Sequence, residues 1–178
     1  MFTKADIEKY FIAEKQESLL FMFIGAAGII AAIVFYFFIK TDLCKGAAIP
    51  SLLIGLLLGV VGYTVYKRSD DDRKRNVYAY DLNPAELKDK ELPRMKKVMK
   101  NFVVYRYVEI GLLLAGLAIC FLFYNKVASL AGGSIAFWKG LGASLAIMSA
   151  LALTADYFAE KRGRVYTKGI ESFISVNK

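Results

Sequence analysis

Histidine is absent from this chain of 178 residues, and cysteine occurs only as Cys44 and Cys120. Losing the imidazole removes the commonest metal ligand and the commonest general base. Two thiols alone cannot assemble a four-ligand structural zinc site, and bis-histidine haem ligation is excluded. The usual nucleophile–base pairs go with it, which leaves Glu109 and Asp156 as the one conceivable carboxylate pair near the apolar stretches. The expectation is a protein without catalytic chemistry, cofactor or metal. Both cysteines fall near the same membrane face in the topology derived below. A disulfide is therefore geometrically conceivable, with a loop thiol and an apolar-facing thiol as the plainer alternative.

A second absence is more informative. Four stretches, Leu19–Ile39, Ala47–Tyr66, Tyr107–Tyr124 and Ile135–Phe158, carry no Asp, Glu, Lys or Arg in their central parts. Each is long enough to cross a hydrocarbon core as a helix, which takes about 20 residues. With 57% hydrophobic residues and a mean hydropathy of +0.42, four spans and their connections use up nearly the whole chain. The predicted fold is an all-α integral membrane protein of four transmembrane helices arranged as two hairpins. The formal charge of +8 does not point to nucleic acid, because the basic residues flank the apolar stretches, where anionic headgroups are the nearer counter-charge. The start, Thr3-Lys4-Ala5-Asp6, is mixed in charge and the first apolar stretch is too long for a cleaved signal. That stretch is expected to stay as a span and to act as the insertion signal.

The distribution of the 24 Lys and Arg sets the orientation, since positive residues in short connections stay on the cytoplasmic side. The connection from Lys67 to Arg106 holds 12 of them. The N-terminal segment adds Lys4, Lys9 and Lys15, and the tail adds Lys161, Arg162, Arg164, Lys168 and Lys178. The other two connections hold only Lys40, Lys45, Lys126 and Lys139. Both termini and the central connection are placed inside, as an even number of spans requires. The resulting plan is one membrane domain: an N-terminal amphipathic helix over 1–18, a first hairpin over 19–66, a basic connection over 67–106, a second hairpin over 107–158 and a cytoplasmic tail over 159–178.

Local signals place helices outside the spans. Thr3 followed by Asp6 is a helix start, with Phe2 as a staple to Ile7. Ile7, Tyr10 and Phe11 then share a face, which suits either a helix lying among headgroups or an extension of the first span into the cytosol. Asn83-Pro84-Ala85-Glu86 starts another helix, and Pro93 should kink or restart it. Beyond it Met95, Val98, Met99 and Phe102 fall on one face and Lys96, Lys97 and Lys100 on another, a surface for anionic lipid or a protein partner. The run Asp70-Asp71-Asp72 lacks the alternation and Gly of a calcium loop, so its carboxylates are expected to pair with neighbouring bases.

Setting Glu17 on Glu109 aligns two copies of one plan: amphipathic helix, carboxylate, Gly-bearing span and aromatic outer end. It is a candidate parallel duplication. Small residues form ridges for close helix contact: Gly25, Gly28 and Ala32 on the first span, and Ser51, Gly55 and Gly59, every four positions, on the second. Gly111 with Ala115 does so on the third span, and Gly142, Ala146 and Ala150 on the fourth. Such ridges serve contacts within a chain or between copies. Glu17, Glu109 and Asp156, with Arg106 beside Glu109, form a candidate polar layer at the inner rim.

The function expected from these features is that of a non-enzymatic protein of a cytoplasmic (inner) membrane that acts by binding another protein. It would be a regulatory or assembly subunit, or an immunity-type protein against a membrane-directed toxin. The alternative is a small homo-oligomeric ion channel or transporter with the polar layer at its inner mouth. A lipid-responsive role through Lys96, Lys97 and Lys100 is a third.

Overall fold

The structure, a computed structural model, describes residues 2–124 and 134–176. Lys126 and Lys178, which entered the charge count, lie outside the described residues. The described chain is helical: α1 (Lys4–Ile33) with a π-helical continuation over Val34–Ile39, α2 (Asp42–Leu82), a short α3 (Pro84–Glu86), a π-helical stretch Leu87–Glu91, α4 (Leu92–Tyr124) and α5 (Ile135–Val176). Four of its helices are long and apolar enough to cross a membrane: Lys4–Ile39, Asp42–Leu82, Pro84–Phe123 and Ile135–Val176.

The helix starts follow local chemistry. Asp6 Oδ2 accepts hydrogen bonds from the Thr3 amide and hydroxyl, both at 2.8 Å, which fixes the first turn of α1. Lys40, in the left-handed region at φ 59°, ends the π-helical stretch, and its amide bonds back to Phe35 O at 3.1 Å. Ser134 caps α5 by accepting from the Phe137 amide at 3.2 Å. Asn83 stands before Pro84 but makes no side-chain cap bond. Pro93 lies in the first turn of α4, just past the π-helical stretch. A proline ring clashes with the carbonyl four residues back, and a wider local turn accommodates that.

The basic connection after Tyr66 begins as helix, for α2 runs on without a break to Leu82. At 1.5 Å per residue its 41 residues extend about 60 Å, roughly twice a hydrocarbon core. The charged run sustains the helix because its bases and acids sit one turn apart. Arg73 pairs with Asp70 at 3.6 Å and Arg75 with Asp72 at 2.9 Å.

Contacts divide the chain into two compact units: Met1–Leu20, Gly62–Tyr105 and Ala155–Lys178 form the first; Phe21–Val61 and Arg106–Thr154 form the second. The first has a true hydrophobic core of Phe2, Ile7, Tyr10, Phe11, Ala79, Leu87, Met95, Tyr166 and Ile170. Tyr10 stacks on Tyr166 with ring centres 4.0 Å apart, and Phe2 packs against Tyr80, Tyr166 and Phe173. Gly169 gives Phe2 its seat, since a Cβ there would lie 2.4 Å from the ring. The face of Ile7, Tyr10 and Phe11 is therefore buried in protein. Met95 is fully buried as well and Met99 packs beside it, so this part of the expected lipid or partner surface belongs to the core.

The second unit is held by backbone approach. A Cβ on Gly25 would sit 2.6 Å from Gly55 O and from Gly59 N, and one on Gly116 would sit 2.6 Å from Ala146 N and 2.8 Å from Gly142 O. Gly46 and Gly140 make the closest crossing: their added Cβ atoms would fall 2.0 Å from Phe137 O and 1.8 Å from Leu43 O. Gly28 fits against Ser51 O, where a Cβ would come within 2.9 Å. These ridges act within one chain. Gly111 does not take part, because a Cβ there meets nothing within 4 Å, and Gly116 takes the place assigned to it.

Candidate functional site

The first unit concentrates ionisable groups in a buried network. Glu14 lies one turn beyond Tyr10 and Phe11, on the face that faces the core, and only 8% of it is exposed. Its carboxylate accepts from the Tyr10 hydroxyl at 3.2 Å and the Ser69 hydroxyl at 2.9 Å, and Arg68 stands 3.9 Å away. Along α2, Asp72 collects Arg68 at 4.0 Å, Arg75 at 2.9 Å and Arg94 at 4.0 Å. Glu91, 2% exposed at the end of the π-helical stretch, receives a bidentate fork from Arg94, Nε to Oε2 at 2.8 Å and Nη2 to Oε1 at 2.6 Å. Arg75 approaches the same carboxylate at 3.8 Å.

Aromatic faces close the network. The Arg94 guanidinium lies 5.9 Å from the Phe11 ring centre and Arg162 lies 5.7 Å from that of Tyr10. Burial pushes the hydroxyls of Tyr10 and Tyr166 well above the usual tyrosine range. Burial works against the charge on Arg94, yet its hydrogen bonds to Glu91 carry it above the ordinary arginine value. Tyr10 and Tyr166 are thereby held neutral and Arg94 charged at neutral pH.

The acids expected at the inner rim separate between the units. Glu17 pairs with Arg162 in the first unit, which also holds Asp156, whereas Glu109 and Arg106 belong to the second. None of Arg106, Glu109 and Asp156 is without a partner. Lys96, Lys97 and Lys100 remain on the surface, with Lys96 3.3 Å from Glu171, and Phe102 is half-buried. Among the described residues no group of three His, Cys, Asp or Glu is placed to hold a metal ion, and Cys44 and Cys120 are free thiols.

The sequence reading missed Glu14, Glu91 and Arg94. Two signals pointed to them. Glu14 continues the spacing of Ile7, Tyr10 and Phe11, so it had to be buried with them, and Glu91 with Arg94 is an i,i+3 pair on the apolar side of Met95.

The second unit contains a cleft of about 570 Å³ with almost wholly apolar walls. Phe35, Leu43, Cys120 and Lys139 line one part of it, and Ser51, Ser144 and Met148 another. The Ser51 and Ser144 hydroxyls share a hydrogen bond of 2.9 Å, both residues being buried. Phe123 stacks on Trp138 with centres 5.3 Å apart.

Comparison of the chain with protein-family models, curated proteins and solved structures finds no match.

Proposed function

We propose that this is a non-enzymatic, multi-pass protein of a cytoplasmic membrane, with both termini inside, that acts by binding another protein through its first unit. It would act as a regulatory or assembly subunit, or as an immunity-type protein against a membrane-directed toxin. The observation that carries the reading is an exposed apolar pair on the charged stretch of α2 that follows Tyr66. Tyr78 is 60% and Leu82 69% exposed, four residues apart on one face of α2. Large side chains left open on a rigid polar unit mark an interaction site, and a Tyr–Leu pair at this spacing suits a helical partner. Lys96, Lys97 and Lys100 supply an accompanying surface for anionic headgroups.

The two hairpins of the duplication proposal have a counterpart in the second unit. Gly25 against Gly55 and Gly59 repeats, atom for atom, the contact of Gly116 against Gly142 and Ala146. That equivalence is one residue out of step with the alignment of Glu17 on Glu109.

The test is purification from the membrane in mild detergent. A stoichiometric partner should accompany the native chain and be lost with Tyr78→Asp/Leu82→Asp, while the melting of the helices is unchanged. Purification of the native chain alone, under conditions that keep other complexes intact, would sink the partner-binding role. One observation favours the alternative homo-oligomeric channel. The apolar window of Pro84–Phe123 is only 11% buried, against 28–39% for those of α1 and α2, and the open surface beside Gly111 is available to a second copy. Ion flux in liposomes that ends with Glu109→Gln would promote it.

A further inference from the structure

The cleft of the second unit has a shape and chemistry that the partner-binding role does not use. Its volume of about 570 Å³ lies within the range of small-molecule sites, and its walls offer almost nothing for a polar ligand to bond. It is also directional. Lys139 lies near the start of α5 and Met148 nine residues further along, a run of about 13 Å of helix. That matches half of a hydrocarbon core of about 30 Å, the depth of a single leaflet. Charge sits at one end only. In the chain around Leu43 and Lys139 the ionisable groups are Lys40, Asp42, Lys45 and Lys139, an excess of base. At the other end the one polar feature is the buried Ser51–Ser144 pair, each hydroxyl already engaged by the other.

An apolar slot one leaflet deep with a basic mouth is complementary to one molecule: an acyl chain tied to an anionic head. We propose that the cleft seats one acyl chain of an anionic phospholipid of the outer leaflet, its phosphate at Lys139 and its tail running toward Ser51 and Ser144. The proposal rests on membrane insertion but is independent of any protein partner. The slot stays open because glycine brings the walls together beside it. Gly46 and Gly140 let α2 and α5 cross at backbone contact, while Phe35, Cys120 and Ile147 stand back from that crossing and line the space.

The test uses the full chain in nanodiscs of phosphatidylglycerol or phosphatidylcholine, each doped with the same lipid bearing a diazirine at mid-chain. After illumination, adducts should concentrate on the peptide containing Ser144, Ile147 and Met148 in phosphatidylglycerol. Ala143→Trp, which fills the slot, should remove them and leave the adducts at the exposed Leu53 and Leu57. Lys139→Gln should lower the phosphatidylglycerol preference by about fivefold, the share of one lysine at an anionic surface. Adducts spread evenly over exposed positions, or undiminished by Ala143→Trp, would overturn the site. Equal capture of both lipids by the native chain would overturn the headgroup assignment. Absence of adducts even at Leu53 and Leu57 would overturn membrane insertion itself, a different failure.

Discussion

Glu91 shows at the residue scale what the first unit depends on. It is nearly inaccessible and accepts a forked pair of bonds from Arg94. A buried ion pair adds little net stability, because desolvation opposes the attraction, but leaving one partner alone is costly. Arg94→Met should therefore destabilise the first unit by about 3–5 kcal/mol, with Arg75 at 3.8 Å as partial compensation. Arg94→Met/Glu91→Leu should recover most of that loss. Denaturation of the three forms decides it, and a double variant as unstable as the single one would show the pair itself to be stabilising. Tyr10 and Tyr166 give a pH prediction. Burial raises both hydroxyls, so the unfolded chain loses their protons first, near the usual tyrosine value of about 10. The stability they contribute is complete below that pH and falls as pH rises through it. The share of tyrosinate absorbance that Tyr10→Phe/Tyr166→Phe removes from the total of 11 tyrosines should appear together with unfolding, above about pH 10. A smooth titration of that share in a still-folded protein would contradict it.

Glycine placement separates the elements at the next scale. Gly116 brings α4 against α5, whereas Gly111, one helical turn and a half away on α4, faces open space. Gly116→Ala should cost about 1–3 kcal/mol through backbone overlap with Ala146, and Gly111→Ala should be neutral or stabilising by up to about 1 kcal/mol through helix propensity. Detergent-induced unfolding followed by circular dichroism would rank them, and equal effects would remove the distinction. The contrast shows what a sequence can disclose. Apolar length and start signals such as Thr3 with Asp6 are local, so the four apolar helices and their first turns were legible. Which face of a helix meets which neighbour is not local. Every four-residue glycine ridge looks alike in sequence, and the groups around Glu14, Asp72 and Glu91 come from residues up to about eighty positions apart that only folding brings together. Even there the spacing of Ile7, Tyr10, Phe11 and Glu14 held the clue, although the first three suit a helix among headgroups and an extension of the first span equally well.

For the whole molecule, charge and hydropathy are segregated, and the proposed insertion rests on that segregation. The second unit contains the uncharged centres of all four apolar stretches. The first holds most of the Lys and Arg and a hydrophobic core of its own, with aromatic stacking and forked ion pairs that lipid would disrupt. Translocating that unit would require moving its bases across the membrane, while Lys40, Lys45 and Lys139 can cross in short connections. The two native thiols make the arrangement testable. Cys44 is a partly exposed free thiol two residues into α2, beside the first hairpin connection. In intact cells a membrane-impermeant maleimide should therefore label Cys44 from outside. In a background of Cys44→Ser and Cys120→Ser, Ser172→Cys on the exposed surface of α5 should react only after the membrane is permeabilised. Reaction at Ser172→Cys in sealed cells would invert the topology. It would also place the Tyr78 and Leu82 surface outside, and the partner would then have to be sought on that side.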